Sequence, residues 1–167
     1  MAISWTCGCC GRTFDTLLLD LAFDAPAYWQ RIPAEERTAR SRLDADTCII
    51  DDRHFFIRAC LEVPVHRLVQ PFVWGVWVSL SEASMRRAAE LFHVDADEDE
   101  PPRFGWLSNE LPGYPDTLSL KASVRFRSRT LRPLVELEPS EHPLAVEQRE
   151  GISVERVQEI IRPITHR

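Results

Sequence analysis

The stretch from His54 to Val63 alternates in character residue by residue. Phe55, Ile57, Ala59, Leu61 and Val63 fall on one side of an extended chain, and His54, Phe56, Arg58, Cys60 and Glu62 on the other. A period of two over that length predicts a strand with one face in the core. Pro64 ends it, because proline has no N–H to give to a ladder. The short apolar run Cys48-Ile49-Ile50 precedes it, and Asp51-Asp52-Arg53 between them has turn chemistry. The spacing therefore predicts a hairpin of 47–51 against 54–63. Phe72 to Leu80 is almost wholly apolar and reads as a central strand covered on both sides.

The rest of the chain supplies more strands and several helices. Leu118, Leu120, Ala122, Val124 and Phe126 alternate with Ser119, Lys121, Ser123, Arg125 and Arg127, and Val135 and Leu137 continue the core side after Pro133. Pro26 opens a short helix, Ala27 to Arg31, and Pro33 opens a surface helix from Ala34 to Leu43. Ser81 caps a third helix with Glu82 in its first turn, and Met85, Ala88, Ala89 and Phe92 form its buried stripe. Ser140 or His142 starts a fourth, which stops at Gly151. Ser153 starts a fifth, with Val154, Val157 and Ile161 inward and an end before Pro163. Hairpin-paired strands with helices beside them predict an α+β fold: a mostly antiparallel sheet of five to six strands, with helices packed on it and at the chain ends. The 167 residues, 44% of them hydrophobic, read as one domain over 1–167. Residues 1–14 form a Cys-containing, knuckle-like segment of it and 15–167 its α+β body.

Charge and hydropathy exclude some partners. The chain carries 26 acidic against 20 basic residues, a net charge of -6. That balance works against nucleic acid, which needs a basic face. No segment approaches the roughly 20 apolar residues of a membrane span. Met1-Ala2-Ile3-Ser4-Trp5 has neither the basic start nor the apolar run of a secretion signal, so the expected location is the cytoplasm. Thiols there stay reduced, and the five cysteines read as metal ligands or buried apolar residues rather than disulfides.

The sharpest chemical motif is Cys7-Gly8-Cys9-Cys10-Gly11. Cys7 and Cys10 have the C-x-x-C spacing that lets two thiolates grip one tetrahedral ion, with Gly11 supplying a left-handed turn. They are the candidate metal ligands, and zinc the candidate cofactor. The remaining ligands would come from Cys9, Cys48, Cys60, the histidines or another chain. Against this stands a set of reduced, partly buried thiols. A redox dithiol would follow a strand in a βαβ unit, and no such unit is present.

The second candidate is aromatic. Trp74, Trp77, Phe104, Trp106 and Tyr114 are the expected binding surface for a protein or small-molecule ligand. Trp74 and Trp77 are three apart on a strand and so face opposite sides, one of them into the core. The other lines a groove beside Phe104-Gly105-Trp106, where Gly75 and Gly105 permit close approach of another backbone or a ligand. Ordinary aromatic core packing is the competing reading. Lys121, Arg125 and Arg127 with Glu136 and Glu138 read as a solvated charged sheet face, and Asp95 to Glu100 as a solvated acidic loop.

The enzyme alternative is a metal-dependent or Cys/His-using one on the face His54, Arg58, Cys60 and Glu62. His54 and Cys60 lie about 20 Å apart at the rise of a strand, so they cannot act as a touching pair. No phosphate loop, nucleophile elbow, H-E-x-x-H or dinucleotide fingerprint occurs. The sequence therefore favours a non-catalytic binding or interaction domain.

Several stretches also carry a family resemblance: Cys7-x-x-Cys10-Gly11, Pro33-Ala34-Glu35-Glu36-Arg37, His54-Phe55-Phe56-Ile57-Arg58 and Leu61-Glu62-Val63-Pro64-Val65. Phe72 to Leu80, Phe104-Gly105-Trp106-Leu107, Leu137-Glu138-Pro139, His142-Pro143-Leu144-Ala145 and Gly151-Ile152 continue it. Over nearly its whole length the chain resembles the bacterial domain of unknown function 2199. The resemblance implies an uncharacterised function and names no chemistry. In that family the C-x-x-C-G is often followed closely by a histidine. Here Arg12-Thr13-Phe14 stands in that place, which the resemblance implies is either a degenerate site or one where Cys9 has taken over.

Overall fold

The structure, a computed structural model, describes residues 4–165. In chain order it contains β1 (Trp5–Thr6), β2 (Thr13–Phe14), β3 (Asp20–Ala22), α1 (Ala27–Gln30) and a single 3-10 turn at Ala34–Glu36. Then come α2 (Arg37–Arg40), β4 (Ser41–Leu43), β5 (Thr47–Ile50), β6 (His54–Val63), β7 (Phe72–Leu80) and α3 (Glu82–Leu91). The chain ends with β8 (Arg103–Leu107), β9 (Lys121–Arg125), β10 (Leu134–Leu137), α4 (Pro143–Glu150) and α5 (Val154–Thr165).

Strands β6 to β10 form a closed mixed barrel. Each pairs antiparallel with the next, and β10 returns to pair with β6 through Leu134 and Cys60. In an up-and-down run of five strands the first and last point the same way. The closing pair must therefore be parallel, as it is here. This overturns the expected α+β fold with an open, mostly antiparallel sheet and helices packed on it. The alternation that reveals a buried face is the same in a flat sheet and in a barrel. What differs is the other face. Its row Ser79, Trp106, Lys121 and its row Phe104, Ser123, Glu136 are partly or fully exposed, so most of that side has no helical layer to bind. The helices are small.

The interior can be followed around the ring. Ile57 opposes Val78, which opposes Leu107, while Ala59 opposes Val76. Gly105 opposes Ala122, which opposes Leu137, and Val124 opposes Val135. All of these but Gly105 belong to one buried cluster, joined by Met85, Ala88 and Leu91 of α3 and Val157, Ile160 and Ile161 of α5. Trp5, Cys7 and Leu17 belong to the same cluster, so the N-terminal hairpin is anchored in the barrel's core. A second cluster, Ile32, Cys48, Ile50, Phe56 and Trp77, lies on the outer side of β5 to β7 beneath Phe23, Tyr28, Trp29 and Leu43.

The two long strands share their outer edges between partners. β7 pairs with β6 along its length. Its other edge takes β3 at Val73–Gly75 and β8 at Val78 and Ser79. β6 likewise takes β5 from His54 to Ile57 and β10 at Cys60.

The predicted 47–51/54–63 hairpin forms, with Asp51 and Asp52 in the left-handed region at φ 51 and 55. Local corrections have physical causes. The helix expected over 34–43 ends at Arg40, and Ser41–Leu43 pairs with β5 instead. The Asp44 carboxylate accepts the backbone N–H groups of Asp46 and Thr47 at 2.8 and 2.7 Å, which folds that corner into a hairpin. The buried stripe of α3 is Met85, Ala88 and Leu91, with Ala89 facing solvent. β9 begins at Lys121 because Ser119 takes a left-handed turn, φ 63. α5 continues through Pro163 to Thr165. Among the described residues no helix is long and apolar enough to cross a membrane.

Candidate functional site

The N-terminal hairpin pairs Trp5 with Phe14 and Thr6 with Thr13. The two aromatic rings stack at 4.8 Å between centroids, and Trp5 Nε1 donates to the Thr16 carbonyl. At its tip Cys7 N–H donates to the Arg12 carbonyl at 2.8 Å, and Gly11 N–H to the Cys7 carbonyl at 2.9 Å. Gly11 sits at φ 69, a conformation that a residue with a Cβ adopts at a cost. The chain therefore curls tightly around Cys7.

This curl brings three sulfurs together. Those of Cys7, Cys9 and Cys10 all lie within 4.8 Å of one another, with Cys7 and Cys9 3.3 Å apart. Cys7 is buried and the other two are exposed, so the cluster is open to solution on one side. The hydrogen bond shared with Cys7 holds the Cys9 thiol above its ordinary range, with desolvation and the neighbouring cysteines adding to it; Arg162 of α5 pulls the other way. Thiolates packed this closely repel one another, and a divalent cation turns that penalty into attraction. The arrangement can hold a metal ion. Cys7 and Cys10 were legible from their spacing. Cys9 was legible only as an alternative.

Among the described residues the other ligand candidates sit elsewhere, and His166 lies outside the described residues. Cys48 lies in the second core cluster, where burial pushes its thiol up to about 12. Cys60 is on β6, its thiol also raised, chiefly by desolvation. His142 caps α4 through Nδ1 and meets the Asp116 carbonyl through Nε2, and His66 meets the Glu150 carbonyl.

The five aromatic residues divide. Trp74 and Trp77 are 1% and 0% exposed, in different clusters on opposite sides of the sheet. Phe104 and Trp106 are 54% and 41% exposed, side by side on the outside of β8 at 5.0 Å and nearly perpendicular. Tyr114 is half-buried, its ring edge-on to Trp74 and its hydroxyl donating to Glu147. The two glycines between these residues are approached by the chain itself. A Cβ on Gly75 would stand 2.8 Å from Ala22 Cβ, and one on Gly105 would collide with Val78 Cγ1.

A family model described as an uncharacterised protein conserved in bacteria (DUF2199) matches residues 6–152. The chain belongs to that family. The part of DUF2199 matched here takes in all three clustered cysteines and all five barrel strands. No curated protein and no solved structure matches the chain.

In this DUF2199 chain the face proposed for an enzyme is dispersed. His54 is exposed at the start of β6, Arg58 and Cys60 line one pocket, and Glu62 lines another beside Pro64 and Pro71. In the acidic loop Asp97, Glu98 and Asp99 are exposed, while its two ends are bonded. Glu100 accepts from Arg87 at 2.7 and 3.1 Å and from Arg103 at 3.0 Å, and Asp95 accepts the Arg129 backbone N–H at 2.9 Å.

Proposed function

We propose that this protein is a non-catalytic binding domain of a reducing cytoplasm. Its N-terminal hairpin holds one zinc ion through Cys7, Cys9 and Cys10, and its barrel presents Phe104 and Trp106 to a partner. The observation that carries the metal half is the convergence of three sulfurs within 4.8 Å at the end of a hairpin rooted in the core. An all-thiolate set suits a soft, tetrahedral ion better than calcium or magnesium, which take oxygen ligands. Three protein thiolates leave a fourth position for water or another donor. The ion would lock the curl of residues 7–12 and, through Trp5 and Cys7, the packing of the hairpin on the barrel.

Phe104 and Trp106 support the binding half. Two large exposed aromatic rings in contact cost solvation in the isolated chain and suit a surface that is covered by a protein or small-molecule ligand. Lys121 opposite Trp106 adds a polar rim.

Cobalt(II) titration of the apo-protein tests the metal half. The expected result is intense thiolate-to-metal charge-transfer absorption saturating at one equivalent and lost in Cys9→Ser. A spectrum of hexa-aquo cobalt throughout the titration overturns it. For the face, quenching of Trp106 fluorescence by a captured partner should disappear in Trp106→Ala; undiminished affinity in that variant removes the surface.

A further inference from the structure

The outer side of β6 and the loop 126–133 enclose a pocket of about 390 Å³. Four arginines line it, Arg58, Arg127, Arg129 and Arg132, and Asp46 is the one carboxylate among its lining residues. Asp46 is taken up by Arg132, whose Nε lies 2.8 Å from Oδ1. Arg127 Nε is anchored on the Arg132 carbonyl at 2.6 Å, and Arg129 Nη1 on the His93 carbonyl at 3.2 Å. These are backbone acceptors, which orient a guanidinium without cancelling its charge. Asp95 lies near, but receives the backbone N–H of Arg129. Arg58 Nε is buried with no hydrogen-bond partner among the described residues. A buried donor with no acceptor is costly and asks for one.

A chain of net charge -6 thus gathers several guanidinium groups around one concavity. We propose that this pocket binds a phosphate monoester of a small organic molecule. Guanidinium forks match the oxygens of a phosphate in pairs, and several of them around one dianion compensate its desolvation. The volume falls within the ~300–1,000 Å³ of small-molecule sites. Phe92 and Leu131 give the pocket an apolar wall for the organic part. Cys60 lies on the same surface, its thiol raised chiefly by burial, and reports on occupancy of the pocket. A nucleic acid would need a basic track running beyond the pocket.

Isothermal titration calorimetry with phenyl phosphate and with inorganic phosphate, at fixed ionic strength, tests this. Phenyl phosphate should bind one site per chain, tighter than inorganic phosphate. Arg58→Lys, which keeps the charge and loses the fork, and Arg129→Gln, an exposed position, should each weaken it about tenfold or more. Phenyl phosphate should also slow alkylation of Cys60, followed by mass spectrometry of its peptide. Absence of a saturable heat overturns the proposal. So does unchanged affinity in an Arg58→Lys/Arg129→Gln double variant with native circular dichroism. Equal affinity for inorganic phosphate overturns the ester and leaves an ion site only.

Discussion

The side chain of Asn109 accepts the backbone N–H of Trp77 at 2.7 Å, at the point where the edge of β7 passes from β3 to β8. Its amide nitrogen donates to the Ala25 carbonyl at 3.0 Å, so one buried side chain satisfies two strand-and-loop groups. Asn109→Leu keeps approximate size and removes both bonds. The expected loss of stability is about 1–3 kcal/mol for each buried backbone group left unpaired. Chemical denaturation measures it; a variant as stable as the parent would show that the gap is filled some other way.

Gln148 does the corresponding work where the barrel closes. Its Nε2 donates to the Val135 carbonyl and its Oε1 accepts the Leu137 N–H, both at 2.8 Å, beyond the single β6–β10 rung at Leu134 and Cys60. Gln148→Ala should destabilise by about 1–3 kcal/mol and speed amide exchange at Leu137. Unaltered exchange at Leu137 would count against the amide as the closing element.

Gly105 is where β8 presses against β7. A Cβ there would stand 2.5 Å from the Ser79 carbonyl oxygen as well as close to Val78. Gly105→Ala should therefore cost about 1–3 kcal/mol through overpacking. Gly113, at φ 85 with nothing near a built Cβ, is the control: its loss acts through backbone strain alone. If Gly105→Ala is neutral by thermal melting, the close approach is wrong.

Glu100 joins α3 to β8 through Arg87 and Arg103, and these arginines hold its carboxyl down at about 2, with its side chain 7% exposed. A carboxylate with a depressed value in the folded state adds stability above its unfolded range, near 4.5. That contribution fades as pH falls from there towards about 2. The parent should lose stability over that window more steeply than Glu100→Gln. Parallel pH profiles for the two would remove Glu100 from the account.

The faces of the strands were legible, because alternation at period two records burial directly: Ile57, Leu61 and Val63 point inward as expected. Closure was not. It depends on one backbone rung and the amide of Gln148, which leave no periodic trace. Over 41–43 an Arg-rich polar sequence fits a surface helix or an edge strand equally, and the Asp44 turn decides for the strand. Cys7 and Cys10 were legible from their spacing, whereas the inclusion of Cys9 depends on how tightly Gly11 lets the loop curl. Arg125, Arg127 and Arg129 alternate like a strand face. A loop begins after Arg125 and turns Arg127 and Arg129 towards Arg58, which alternation cannot reveal.

Elemental analysis of protein purified without chelator, together with thiol titration of the native state, addresses the central claim. The account predicts one zinc per chain, with Cys7, Cys9 and Cys10 protected from thiol reagents. It also predicts loss of the metal in Cys7→Ser and Cys10→Ser. Metal-free protein that takes up no zinc on addition, with Cys9 and Cys10 reacting at the rate of an exposed thiol, would contradict it.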